Sequence, residues 1–472
     1  MMAVNAFVAN ALAQISLPKI LGHDMVLQRN QPVPIWGYAS AGEQITVAFA
    51  SQKKQTIADA TGNWKLMLDA MDASSKSRSL TITGKNTIVL NDVLVGEVWL
   101  CSGQSNMEYT MRKNSKVTVP PGKNWPVDEL DHAHNPAIRI FLVDRKKMKP
   151  DPTHQGWSVA EDSALRSFSA VGYFFAKKLY EELHIPIGVI GSSIPGSRIE
   201  PWAPESAFRQ IPFFKDSNKI DGEPGKFYTT MIEPLAPFAL KGFLWYQGES
   251  NCFLNDRIEY TYKMEALINN WRTIWNNKDM PFYYVEIAPF AYTSSKGKIT
   301  YNEQSLPEFR EAQALAMQIP HTGMVVTTDL NDSINNLHPH FKWEIGRRLA
   351  LWALAKDYQI KSIQPSGPIY KDMKVVNDKA IIEFTNIGSG LEVKGDNLTC
   401  FTIAGKDGNF FAASAIIKGD KVIVSSPEVS SPTTVRLGWN EADHPNLYNK
   451  NGLPAVPFRT DNPLKAAFKI SN

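Results

Sequence analysis

Cysteine is scarce in this chain: Cys101, Cys252 and Cys400 are its three thiols in 472 residues. Three thiols make no disulfide framework, so they neither demand nor exclude export. There is no Cys-x-x-Cys and no Cys/His cluster at zinc spacing, so no structural metal and no cofactor is expected. Neither sign of charge dominates: 50 Lys+Arg against 47 Asp+Glu leave a net +3. Without a basic stripe, no nucleic-acid partner is expected. No apolar run reaches the roughly 18 residues of a membrane-spanning helix. Internal repeats and low-complexity segments are missing as well. So is the Gly-x-Ser-x-Gly elbow, which disfavours the ordinary α/β-hydrolase arrangement.

What is present is ample core material: 43% hydrophobic residues, with 12 Trp and 23 Phe. The length suggests about two to four domains. The first residues, "MMAVNAFVANALAQ", are apolar and small and end in Ala11-Leu12-Ala13, a signal-peptidase-like site, although a basic n-region is missing. Residues 1–15 are therefore read as a signal-peptide remnant, and the expected location is periplasmic or secreted.

Residues 16–92 read as an all-β unit. Ile45-Val47-Phe49 alternate, and Gly62-Asn63 is a turn signal before the alternating Trp64-Leu66-Leu68. A small β-sandwich is the natural reading. From Val93 to about residue 358 apolar strands alternate with helical periods. The strands are "VGEVWLCSG", "PIGVIGSS", "LKGFLWYQGES", "MPFYYVEIAPF" and "GMVVTTDL". One helix runs from about Phe168 and buries Val171, Phe175, Leu179 and Leu183. A second buries Tyr260, Met264, Leu267, Trp271 and Ile274, and a last one buries Ile345, Leu349 and Trp352. Strands alternating with helices predict an α/β fold, a doubly wound parallel sheet. Residues 359–472 return to short strands and form a second, C-terminal β domain.

The stretch "VWLCSGQSNMEY" (Val98–Tyr109) raises the functional question, because a buried strand ends on three polar residues, Gln104, Ser105 and Asn106. Polar groups at a buried strand end must be satisfied, exposed or used. Three other strands also end on polar or glycine-rich stretches: "GSSIPGSR", "YQGESN" and "TTDLNDSINNLHP". In an open parallel sheet ligands bind beyond the carboxyl ends, so all four ends belong on one edge. A serine hydroxyl is a weak nucleophile that needs a base and oxyanion donors. His338 is the candidate base. The candidate donors are the backbone N–H groups of Ser105 and Gly196 and the side-chain amide of Gln247. Taken singly, each also reads as a plain turn, boundary or capped-loop residue; it is their joint placement at successive strand ends that points to catalysis.

"GQSNM", "GSSIPGSRIEPW", "WYQGESN" and "LHP" resemble the four consensus blocks of SGNH hydrolases. More narrowly, together with "VLQRNQPVPIWGYASAGEQITV" and "EIGRRLALWALA", they resemble the sialate O-acetylesterase family of carbohydrate esterases. The resemblance runs over nearly the whole chain. It implies an SGNH, flavodoxin-like sheet with flanking β-sandwich domains, Ser105 as nucleophile, His338 as base, and Gly196 and Gln247 in the oxyanion hole. It implies a serine esterase that removes O-acetyl groups from sugars through an acetyl-enzyme, the leading substrate being 9-O-acetylated sialic acid. The alternatives are an esterase of acetylxylan or another polysaccharide, and a non-catalytic carbohydrate-binding protein on a hydrolase scaffold.

One position departs from the family pattern. The acid of Asp-x-x-His is replaced by Asn335, which leaves Asp332 and Asp329 as the nearest carboxylates. Asp332 is the candidate third member of the triad. Arg198 is a candidate partner for a substrate carboxylate, and Trp202 a candidate pocket wall. Glu249 and Asn106 complete the candidate substrate-binding set, with Glu249 also suited to holding the "QGESN" loop.

Overall fold

The computed structural model describes residues 14–144, 156–215, 220–296 and 298–471. Of the expected signal remnant, residues 1–13 lie outside the described residues. Ile15 is buried, and its N–H donates to Asn86 Oδ1 at 2.7 Å.

The sheet that positions the site is built on one long strand, Thr87–Gly103. Its residues from Val93 onward are buried, and from Val98 to Cys101 they divide alternately between two cores, as a pleated strand covered on both faces must. Trp99 and Cys101 pack with Phe175 and Ile345 on one face. Val98 and Leu100 share the other with Phe243 and Trp271. Across the sheet the strands lie in the order Thr322–Val325, Phe282–Val285, Gly242–Tyr246, Thr87–Gly103, Ile187–Ser193, Ile138–Leu142 and Trp157–Val159. All neighbouring pairs are parallel except the last. The five strands expected from sequence, numbered along the chain, stand in the order 2-1-3-4-5, the flavodoxin-like arrangement. The helices Ala170–Leu183 and Lys342–Lys356 cover one face, and Ile258–Ile274 with Ser305–Leu315 the other. Leu183, expected in the core, is only partly buried, at the last position of its helix.

Two features depart from the sequence reading. The sheet is mixed, because Ile138–Leu142 and the antiparallel edge Trp157–Val159 extend it beyond the expected strands. Arg139 breaks the apolar run that would signal the first of these. It is buried there by donating to Asp92 at 2.7 Å, to Asp24 and to Pro136 O.

The second departure is the boundary at 92/93, which falls inside a continuous strand. Val26–Gln28 pairs with Leu94–Gly96, and Ser74–Thr83 pairs with the strand back to Thr87. From Glu97 on, the partner is Ile187–Ser193, joined by Gly242–Tyr246 from Trp99. The hand-over from the N-terminal β unit to the α/β unit thus occurs at Gly96/Glu97. At Gly96 a Cβ would lie 1.9 Å from Pro186 O, so only glycine allows this approach.

The C-terminal strands form two four-stranded sheets and a two-stranded one around their own core of Ile382, Ile403, Val424 and Val435. This unit is pinned to the α/β unit by Arg459, which donates to both carboxylate oxygens of Glu311 at 2.9 and 2.7 Å, and by Asn440 to Glu303 at 2.7 Å. Among the described residues, no helix is long and apolar enough to cross a membrane.

Candidate active site

The central strand ends at Gly103, between Ser193 on one side and Tyr246 on the other. A Cβ on Gly103 would lie 2.2 Å from Tyr246 O, and its φ of +140° is one that glycine adopts readily. The chain then turns sharply. Gln104 N–H donates to Tyr246 O at 3.0 Å, and Ser105 opens the short helix Ser105–Glu108. The adjoining loop is held level with it by Ile194 N–H to Gly103 O at 3.1 Å. Three of the four polar strand ends therefore start at one height on one edge.

The fourth arrives after Thr322–Val325 and carries His338. Its Nε2 lies 2.8 Å from Ser105 Oγ across 233 residues of sequence. His338 N–H is held by Asn336 Oδ1 at 3.0 Å. His338 is exposed, yet partial desolvation, followed by the ammonium groups of Lys342 and Lys113, holds its pKa below the ordinary value. A base kept neutral near pH 7, one hydrogen bond from a hydroxyl, is what proton abstraction from serine requires. Gly196 is exposed at φ +69°, with open space where a Cβ would stand.

The structure does not put Asp332 on His338. Its Oδ2 lies 3.3 Å from His340 Nδ1, and Oδ1 accepts from Asn336 Nδ2 at 3.1 Å. Asp329 is taken by Arg348, with two hydrogen bonds at 2.8 and 2.7 Å. Asn335 is anchored by its backbone to Ser333 Oγ. Spacing along the loop put Asp332 near the histidine, but the turn Ser333–Asn336 carries it to the second histidine instead.

Gln247 also differs from expectation. It is fully buried, and its Nε2 faces Asn251 Oδ1 at 2.8 Å, Ser197 O at 3.1 Å and Gln104 Oε1 at 3.2 Å, while Tyr260 Oη donates to its Oε1 at 3.0 Å. Its donors are spent inside the protein, so it braces Gln104 and the loop of Ser197 rather than facing open space. Trp202 is likewise no pocket wall. It is fully buried among Trp245, Trp271 and Phe227, with Nε1 donating to Ser197 Oγ at 3.1 Å. Arg198 is half-buried and lies against Gly222. Its neighbour Glu200 is engaged by Lys263 at 2.7 Å.

Asn106 and Glu249 are buried, not presented to a ligand. Asn106 Nδ2 donates to a Glu249 carboxylate oxygen and, at 3.1 Å, to Leu337 O. Its Oδ1 accepts from Lys342 Nζ at 2.8 Å, and Lys342 also donates to Pro339 O at 2.5 Å. Burial raises the Glu249 carboxyl above its ordinary range. Burial pushes the Lys342 ammonium down to about 7, against the opposing pull of Glu249 and Asp332. The rings of Tyr109 and Tyr246 flank Lys342 Nζ at 5.0 and 5.3 Å.

Sequence reasoning missed Lys342, yet a signal existed. It is the first residue of the helix Lys342–Lys356, where the dipole favours acids. A lysine there calls for another explanation. Among the described residues, no group of three or more His, Cys, Asp or Glu is arranged to hold a metal ion.

Comparison with known proteins gives consistent relatives. Residues 95–355, more than half of the chain, match the family model "SASA: Carbohydrate esterase, sialic acid-specific acetylesterase". The chain is 28% identical over 407 residues to the sialate O-acetylesterase of Homo sapiens, covering 77% of this chain and 75% of that protein. To its counterpart from Mus musculus it is 27% identical over 430 residues, covering 76% and 77%. A carbohydrate acetylesterase from Xanthomonas citri superposes with a TM-score of 0.83 at 35% identity, covering 95% of this chain and all of that one.

Proposed function

Since the chain belongs to the sialic acid-specific acetylesterase family of carbohydrate esterases, and is a carboxylic ester hydrolase, we propose that it removes O-acetyl groups from sugars by serine catalysis on an SGNH-type scaffold. The single observation that carries the mechanism is the 2.8 Å contact between Ser105 Oγ and His338 Nε2 at the carboxyl edge of the central strand. His338 takes the Ser105 proton as Oγ attacks the acetyl carbonyl carbon. The tetrahedral oxyanion is met by the N–H of Ser105, at the unpaired start of its helix, and by that of Gly196. His338 returns the proton to the leaving sugar oxygen as its bond to the acetyl carbon breaks. A water then loses a proton to His338 and attacks the acetyl-serine carbonyl, and His338 gives that proton back to Ser105 Oγ as acetate leaves.

O-acetylated sialic acid, with the acetyl group at the 9-position, is the substrate this reading favours. Its basis is the family together with Arg198, a half-buried guanidinium on the loop of Gly196 that suits a substrate carboxylate. Hydrolysis of p-nitrophenyl acetate tests the nucleophile. Ser105→Ala should lose nearly all activity, and activity equal to wild type would remove Ser105 from the mechanism.

A further inference from the structure

We propose that Asn106 and Lys342 are positioning residues that seat His338 against Ser105, doing through the backbone what a triad carboxylate does through the imidazole ring. The inference rests on the Ser105–His338 reading above. In a triad the acid orients the base by holding its second ring nitrogen. Here both nearby carboxylates are engaged elsewhere, Asp332 with His340 and Asp329 with Arg348. What is held instead is the carbonyl of the residue on each side of the histidine. Leu337 O accepts from Asn106 Nδ2, and Pro339 O accepts from Lys342 Nζ. The two holding groups are joined by Lys342 Nζ to Asn106 Oδ1. Asn106 is the residue after Ser105, so the nucleophile's turn and the base's loop share one buried hub. Glu249 closes it by accepting from Asn106.

The residue types fit this task. Burying an ammonium is costly unless acceptors compensate it, and an apolar side chain would fill the space more cheaply. An apolar side chain could not tie together two chain segments that meet only at the site. An amide supplies a donor and an acceptor at once, which lets Asn106 face a carbonyl, a carboxylate and an ammonium together. Preorganised supports of this kind fix the geometry of reacting groups.

The hub also acts on His338 by charge. The groups around the imidazole are Ser105 on the nucleophile's turn, Lys113 from the helix Met111–Asn114, Lys342, Glu249 behind Asn106, and the Asp332–His340 pair on its own loop. Lys342 and Lys113 disfavour the imidazolium. Removing the Lys342 ammonium lets the His338 pKa rise, so the acid limb of the rate profile moves to higher pH.

The test uses the full chain with Lys342→Met and Asn106→Ala, p-nitrophenyl acetate as substrate, and a fluorophosphonate as a probe of serine reactivity. Rates are normalised to the folded fraction measured by melting. Both variants are expected to lose about ten-fold or more in kcat with KM within about two-fold, and to label Ser105 more slowly. Lys342→Met should also show its acid limb at higher pH. If Lys342→Met does not fold, Lys342→Gln, which keeps a donor, takes its place. Losses that merely track the folded fraction, wild-type labelling rates, or an unmoved acid limb would overturn the inference. Hydrolysis by Ser105→Ala equal to wild type would overturn the nucleophile assignment itself, a result readable independently of the Lys342 variants.

Discussion

Asp332→Asn separates a triad from the arrangement described here. Where a carboxylate orients a catalytic histidine, its replacement by the amide costs about 10⁴ in kcat, which at about 1.36 kcal/mol per decade is roughly 5.4 kcal/mol of transition-state stabilisation. In this protein the Asp332 carboxylate is 3.3 Å from His340 and its side chain is 37% exposed. His340 is buried and its pKa is held low by desolvation, so the contact is a hydrogen bond between a neutral imidazole and the carboxylate, worth about 1–2 kcal/mol. The substitution removes that bond, keeps an oxygen to accept from Asn336, and leaves the 2.8 Å Ser105–His338 contact in place. Expected are a fall in kcat of less than about five-fold on p-nitrophenyl acetate and a melting temperature lowered by only a few degrees. The assay is steady-state kinetics on both proteins at one pH above the His338 pKa, with thermal melts alongside. A loss of about 10² or more with an unchanged melt would refute the reasoning, because it would mean that Asp332 reaches His338 during turnover.

Arg198→Ala should lower kcat/KM for O-acetylated sialate by about ten-fold or more, the roughly 1.5–3 kcal/mol of a hydrogen bond to a charged group, while sparing a neutral aryl acetate. Equal losses on both substrates would make Arg198 a support for the Gly196 loop and favour acetylated plant glycans equally. Trp202→Ala removes a fully buried ring from the core and should cost about 3–5 kcal/mol of stability in a denaturant titration, with no change in preference between the two substrates. The acid limb of kcat/KM should lie below the ordinary histidine pKa, since partial desolvation, Lys342 and Lys113 all lower that of His338; activity then rises as the pH climbs through the lowered value. A limb at or above the ordinary value would contradict the charge arrangement.

Periodicity made much of the α/β unit legible. The helix Ile258–Ile274 buries Tyr260, Met264, Leu267 and Trp271 as spacing required, and each expected strand of the central sheet is present. Ser105 and His338 were legible because each stands where a strand end and a polar stretch coincide. Spacing did not work for Asp332, because a loop's course is set by its own turns and not by a period. Trp202 misled for a related reason: nearness in sequence to Gly196 says nothing about direction, and Pro201 and Trp202 turn inward. Lys342 and Asn106 act through buried contacts 236 residues apart, and no local pattern reports such a pairing. The boundary at 92/93 was drawn where composition changes, whereas the strand's partners change a few residues later.

The uninterrupted strand Thr87–Gly103 has a bearing on how the protein can be taken apart. A protease or an engineer looking for a seam between the N-terminal β unit and the α/β unit would have to cut mid-ladder, where Gly96 and Glu97 exchange one set of partners for the other. A fragment starting at residue 93 would keep the end of the strand that leads to Ser105 but expose Val93, Leu94 and Val95, stripped of their neighbours, as a sticky unpaired edge. Such a fragment should aggregate rather than stand alone. Nor is there a flexible joint about which the two units could swing. The turn that carries Ser105 therefore continues the same strand that the N-terminal unit pairs with.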